Sequence, residues 1–164
     1  MKSIDLNYEI HCIGILLKQN REGNILGKFI DSKNLDFSIE SLKLVDKYLE
    51  KIRKKSLSEN DVKKIILRCG TYLGEVIRKR TPKIISWITF EKANEKNDLV
   101  HKLGKDLTTH ILLINKNNNS LWFQLSKIYK FIEYGKQDNL TSFAKVMLDD
   151  INKNEKKPKI LPER

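Results

Sequence analysis

Leu67-Arg68-Cys69-Gly70-Thr71-Tyr72-Leu73-Gly74-Glu75-Val76-Ile77 is the stretch on which the fold turns. It lies inside a longer periodic segment. Val62, Ile65, Ile66, Cys69, Tyr72, Leu73, Val76 and Ile77 recur at three- and four-residue steps, the spacing of one wide helix face. Ser58 precedes two acids, Glu59 and Asp61, as a cap precedes a first turn. Arg78, Lys79 and Arg80 stand where cations suit the end of a helix, and Pro82 closes it. A helix over 58–80 follows. Two glycines inside it each cost about 1 kcal/mol relative to alanine. Because Gly70 and Gly74 are four residues apart they share a face, so another backbone can come close there. That neighbour is either part of the chain's own core or a ligand or partner lying in a glycine-lined groove. The candidate partner-binding residues are therefore Arg68, Gly70, Tyr72, Gly74, Glu75 and Arg78. Glu75 can pair with Arg78 or Lys79 along the helix. A surface ion pair is the plain reading; a carboxylate that bonds a backbone or a partner's cation is the other.

The flanking segments fill in an architecture. Ile39, Leu42, Val45, Leu49 and Ile52 predict a helix over 38–54, started by Asp36 or Ser38, with Asp46 on its wet side. The short link at Ser56-Leu57 favours a hairpin of the two helices. After Pro82 the period changes. Residues 84–90, 108–114 and 120–125 are rich in β-branched and aromatic side chains and predict three antiparallel strands carrying Trp87 and Trp122. A short helix over 126–134 and a last helix capped by Asp138 complete the pattern. Residues 7–19 are apolar enough for a helix or a buried strand, and periodicity does not decide between them. Asn20 to Gly27 reads as a turn. The expected fold class is α+β: an N-terminal helical hairpin packed on a small antiparallel sheet, with C-terminal helices. Residues 1–151 form one domain and 152–164 a basic flexible tail.

The segment Gly70-Thr71-Tyr72-Leu73-Gly74-Glu75, followed by Trp87, resembles a group of small bacterial domains of unknown function. Their pattern is G-x-Y-x-G-E on a helix and then a strand led by Trp. Downstream, Ser126, Lys127, Ile128, Lys130, Gly135, Asp138, Leu140 and Phe143 match a spacing common in that group. The resemblance spans roughly residues 38–148. The chain departs from the pattern at 81–86, which lacks the glycine usual before the Trp, and at Gln124, where proline is common. The resemblance implies a helical half packed on a small sheet, and a role as an immunity or accessory protein of bacterial competition systems.

Composition narrows the function classes. Hydrophobic residues make up 40% of the 164, enough for one core. No apolar run nears the roughly 20 residues that cross a bilayer, and Met1-Lys2-Ser3-Ile4-Asp5 lacks the pattern of a signal peptide. A cytoplasmic protein without membrane contact is expected. Cys12 and Cys69 form no CxxC pair and are expected to be buried, reduced thiols. His11, His101 and His110 have no second ligand at metal spacing, so neither metal nor cofactor is expected. No nucleophile elbow, P-loop or dinucleotide fingerprint occurs, and no catalytic residue is assigned. The net charge of +11 comes from Lys far more than Arg, 26 to 6, and is spread evenly along the chain. The leading expectation is a non-enzymatic module for a protein partner, with a basic surface suited to an acidic one. The alternative is nucleic-acid binding through Lys51 to Lys55, Arg78 to Lys83 and the tail. Oligomeric state stays open.

Overall fold

A computed structural model of the chain describes residues 5–17, 30 and 32–155. The turn expected at Asn20 to Gly27 and the tail from 156 onward lie outside the described residues. The described part of the 7–19 segment is helical: α1 runs Leu6–Leu16 and is capped by Asp5, whose carboxylate accepts from the Asn7 amide. Helix α2 is Leu42–Ile52, shorter than the expected 38–54. Ser38 explains the difference, since its hydroxyl accepts from the Ser41 amide and folds 38–41 into a tight turn first. Helix α3, Glu59–Arg78, starts as expected on Ser58, whose hydroxyl accepts from the Asp61 amide. β1 (Ile85–Thr89), β2 (Ile111–Asn115) and β3 (Leu121–Trp122) form an antiparallel sheet in the order β1-β2-β3. Trp87 sits opposite Leu113, and Leu113 opposite Trp122. The fold is α+β, with C-terminal helices α6 (Gln124–Tyr134) and α7 (Leu140–Glu155).

Several expectations need correction. The strand expected over 120–125 stops at Trp122, because α6 begins at Gln124. Two helices, α4 (Phe90–Asn94) and α5 (Asp98–Leu103), were not foreseen; with five and six residues they are too short to show a period. Helix α7 continues to Glu155, past residue 152 where the tail was expected to begin. Asp138 does not cap α7; it pairs with Lys127 at 2.6 Å. The amides at the start of α7 are met by Asn139 and by Asp46 of α2, which accepts from the Leu140 amide at 2.8 Å and the Thr141 hydroxyl at 2.9 Å. Asp46 is therefore half-buried at a helix junction, not on the wet side. Cys12 is exposed, whereas Cys69 is buried and its thiol is pushed up by desolvation.

Helix α3 is the axis of the molecule. From Cys69 to Ile77 every residue is buried. It packs most extensively against α1 and α6, while α2 packs chiefly on α7, so the expected hairpin contact is the smaller one. One sheet face, with Ile85, Trp87, Ile111 and Leu113, joins this core; the other, with Ile88, Leu112 and Ile114, is covered by Ala93 of α4 and Val100 of α5. The outer edge of β1 is closed by α1, whose Asn7 side-chain oxygen accepts from the Trp87 amide at 2.9 Å. Arg53, just beyond α2, donates to the Ile132 and Glu133 carbonyls at the end of α6. Among the described residues no helix is long and apolar enough to cross a membrane.

Three glycines set how near the neighbours of α3 can come. A β carbon at Gly74 would overlap the Cη2 and Cζ2 atoms of the Trp87 indole. At Gly70 it would lie 3.0 Å from two side-chain carbons of Leu125 and 3.1 Å from its Cα. At Gly14 of α1 it would meet the Thr71 backbone and the Glu75 Cγ at 3.6 Å, ordinary contact. The close neighbours of Gly70 and Gly74 thus belong to the chain itself. Gly74→Ala should destabilise by about 1–3 kcal/mol, because a pinned indole cannot yield. Gly70→Ala should cost less, and Gly14→Ala should be neutral or gain up to about 1 kcal/mol of helix propensity. Urea melts of the three variants check this order; a Gly74→Ala protein at least as stable as the parent would refute it.

Candidate functional site

Glu75 is the one acid with no exposed surface at all among the described residues, on a helix turn walled by α1 and β1. Its neighbours arrive from three elements. Arg78, one turn along α3, donates from Nε to Oε1 at 2.6 Å and from Nη2 to Oε2 at 2.9 Å. The Trp87 indole Nε1 of β1 donates to Oε1 at 2.8 Å. His11 of α1 places Nδ1 2.8 Å from Oε2. Burial would raise the carboxyl pKa, but the hydrogen bonds from Arg78 and Trp87, the Arg78 charge and the His11 contact outweigh it and hold it below its ordinary value. The group is ionised, so it only accepts, and Nδ1 of His11 must carry the hydrogen. The hydrogen bond to Glu75 likewise holds the Arg78 pKa above its ordinary value.

An ionised carboxylate has about four lone-pair sites. Arg78 uses two, Trp87 and His11 one each, and none is left for a substrate or a partner's cation. The expected surface pair of Glu75 and Arg78 exists, but as an interior one. The side chain of His11, 25% exposed, is the outermost part of the cluster, ahead of Arg78 at 19%.

The remaining candidate residues separate. Gly70 and Gly74 are filled by Leu125 and Trp87. The buried Tyr72 hydroxyl accepts from the Phe37 amide at 2.9 Å and lies 2.7 Å from the Ser41 hydroxyl. Since Ser41 already donates to the Ser38 carbonyl, Tyr72 is the donor to Ser41. These bonds, with Arg80 donating to the Phe37 carbonyl, hold Phe37 at φ 63°, a conformation few side chains adopt. Arg68 is half-buried and makes no ion pair among the described residues. The proposed groove along Arg68, Gly70, Tyr72, Gly74, Glu75 and Arg78 is thus occupied by the chain's own side chains. Its glycines and Glu75 serve packing.

A concavity that sequence reasoning missed lies on the other side of the sheet. It has a volume of about 360 Å³ and a floor that includes Ile88 and Ile114. Lys92 of α4, Lys96 in the turn that follows it and Lys116 after β2 line it, against one acid, Glu95. All three lysines are exposed, and none forms an ion pair among the described residues. Lys92 and Lys96 come together only because α4 ends at Asn94 and the chain turns there, which no periodic pattern signals. Among the described residues, no three His, Cys, Asp or Glu side chains are grouped to hold a metal. Family models, curated proteins and solved structures were all compared with the chain, and none matches it.

Glu75→Gln removes one side of a buried pair and leaves Arg78 without its counter-charge, which should cost about 3 kcal/mol at neutral pH. The pH dependence has a definite sign. A carboxyl whose folded pKa is lowered contributes stability that is present above about pH 4.3 and lost as pH falls through the folded value. Acid titration should therefore show the parent losing stability below about pH 4 more steeply than Glu75→Gln. Equal slopes, or equal stability at pH 7, would mean that Glu75 is not the fastener described here.

Proposed function

We propose that this protein is a non-catalytic binding module that docks an acidic protein partner in the lysine-rimmed concavity beside α4. The observation that carries the reading is the convergence of Lys92, Lys96 and Lys116 on an apolar floor with Glu95 as the one lining acid. Cations gathered around an apolar centre suit a partner that brings carboxylates around an apolar contact. The saturation of Glu75 also favours binding over catalysis, because that carboxylate has no free lone pair to act as base or nucleophile.

The basic runs named for nucleic acid support that alternative less. Their arginines are engaged within the chain: Arg53 on the end of α6, Arg78 on Glu75, Arg80 on the Phe37 and Val76 carbonyls. Lys54 faces Glu50 at 3.3 Å. The narrower role, an immunity or accessory protein of a bacterial competition system, rests on the resemblance across roughly residues 38–148 alone.

Reversing Lys92, Lys96 and Lys116 to Glu tests the reading. Surface changes of this kind should leave the melting transition within about 0.5 kcal/mol each. The parent protein, used as bait in extracts of its own host at physiological salt, should retain an acidic protein that the reversed variant loses. Equal retention by both would refute the site. Retention of nucleic acid alone, falling steeply with salt, would instead favour the alternative.

A further inference from the structure

A second concavity, of about 290 Å³, lies between β3, the first turns of α6 and α7, away from the lysine-rimmed one. Three aromatic side chains line it, Trp122, Phe123 and Phe143, each half-buried and so still reachable from solvent. Three charged groups share it: Lys127, Lys130 and Asp138. An aromatic box with a carboxylate would ordinarily suit a cation. Here that seat is filled from within. The Lys127 ammonium stands 2.6 Å from Asp138 and 5.4 Å from the centroid of the Phe143 ring. Lys127 and Asp138 neutralise each other, which leaves the exposed Lys130 as the uncompensated charge of the pocket. What remains is a set of aromatic surfaces beside one positive charge. Its volume is at the small end for ligand pockets, enough for one ring system rather than a dinucleotide.

We propose that this pocket takes a nucleobase carrying a phosphate, the base against Trp122 and the phosphate on Lys130. Aromatic platforms beside cations bind bases with little regard to sequence, since every base has a π face. The same chemistry is offered by a free nucleoside monophosphate and by one residue of a single strand. The net charge of +11 draws either one in. The site is separate from the concavity assigned to an acidic protein, so either reading can fail without the other.

The two tryptophans provide the readout. Trp87 is 4% exposed and bonded to Glu75, whereas Trp122 lines the pocket, so a stacking ligand quenches Trp122 and leaves Trp87 alone. Titration of the full chain with adenosine monophosphate, with an oligothymidylate of about eight nucleotides and with an abasic strand of the same length compares the sources. Saturable quenching by the monophosphate shows a free nucleotide to be sufficient; quenching by the oligothymidylate alone assigns the site to a single strand. Either result supports the proposal provided that the abasic strand does not quench. Trp122→Ala removes the fluorescent reporter, so its affinity is read by titration calorimetry beside the parent; it should weaken binding roughly 5- to 150-fold, the value of one stacked base. Lys130→Glu, an exposed change that leaves the core intact, should weaken it as well. No quenching by either base-bearing ligand would overturn the proposal. So would equal binding of the abasic strand, or binding indifferent to both substitutions.

Discussion

A carboxylate sealed from water must have its charge and its lone pairs met inside the fold, and Glu75 imposes that requirement on the centre of this molecule. Arg78 supplies the counter-charge, Trp87 and His11 the remaining donors. Each donor fixes an element: Trp87 the first strand of the sheet, His11 the N-terminal helix, Arg78 the last turn of α3. Gly74 is the steric counterpart of the same requirement, because the indole can reach the carboxylate only by crossing α3 where there is no side chain. Apolar packing supplies the bulk of the stabilisation, but it is non-directional. The hydrogen bonds to Glu75 select one arrangement of α1, α3 and β1 among the packings an apolar core would accept.

The long elements were legible because their patterns outlast local noise. Residues 59–78 carry a sustained helical period between a serine cap and a basic end, and Ile85 to Thr89 carry β-branched and aromatic residues after a proline. Residues 7–19 were ambiguous because their apolar side chains cluster without a one-sided period. The sheet meander was readable, but β3 was overlong in the reading: Phe123 to Leu125 are as apolar as a strand and become the cap and first turn of a helix. Asp46 was misread because a helix period reports which side of its own helix a residue occupies. It does not report that another helix, starting 94 residues later, will bring its free amides there.

The site was less legible than the fold. A Glu three residues before an Arg on a helix has the same pattern whether the pair is wet or buried. The available signal was that apolar and small residues surround Glu75 on every side from Cys69 to Ile77, which marks a helix enclosed all round. The part of His11 was invisible, since it depends on α1 crossing α3 across 64 residues of sequence. The lysines around the sheet concavity are likewise assembled by topology, Lys116 arriving from the far end of β2.

The contact between Asn7 and the Trp87 amide has a consequence beyond local bonding. The outer edge of β1 is a row of backbone groups on which another strand could grow, and sheet proteins commonly protect such rows with charges, prolines or a covering helix. Here the cover is α1, held by Asn7 on the strand and by His11 on the carboxylate beneath it. Shifting α1 would free a β-branched and aromatic strand edge, a template for self-association. The N-terminal helix thus acts as a guard against aggregation as well as a layer of the core.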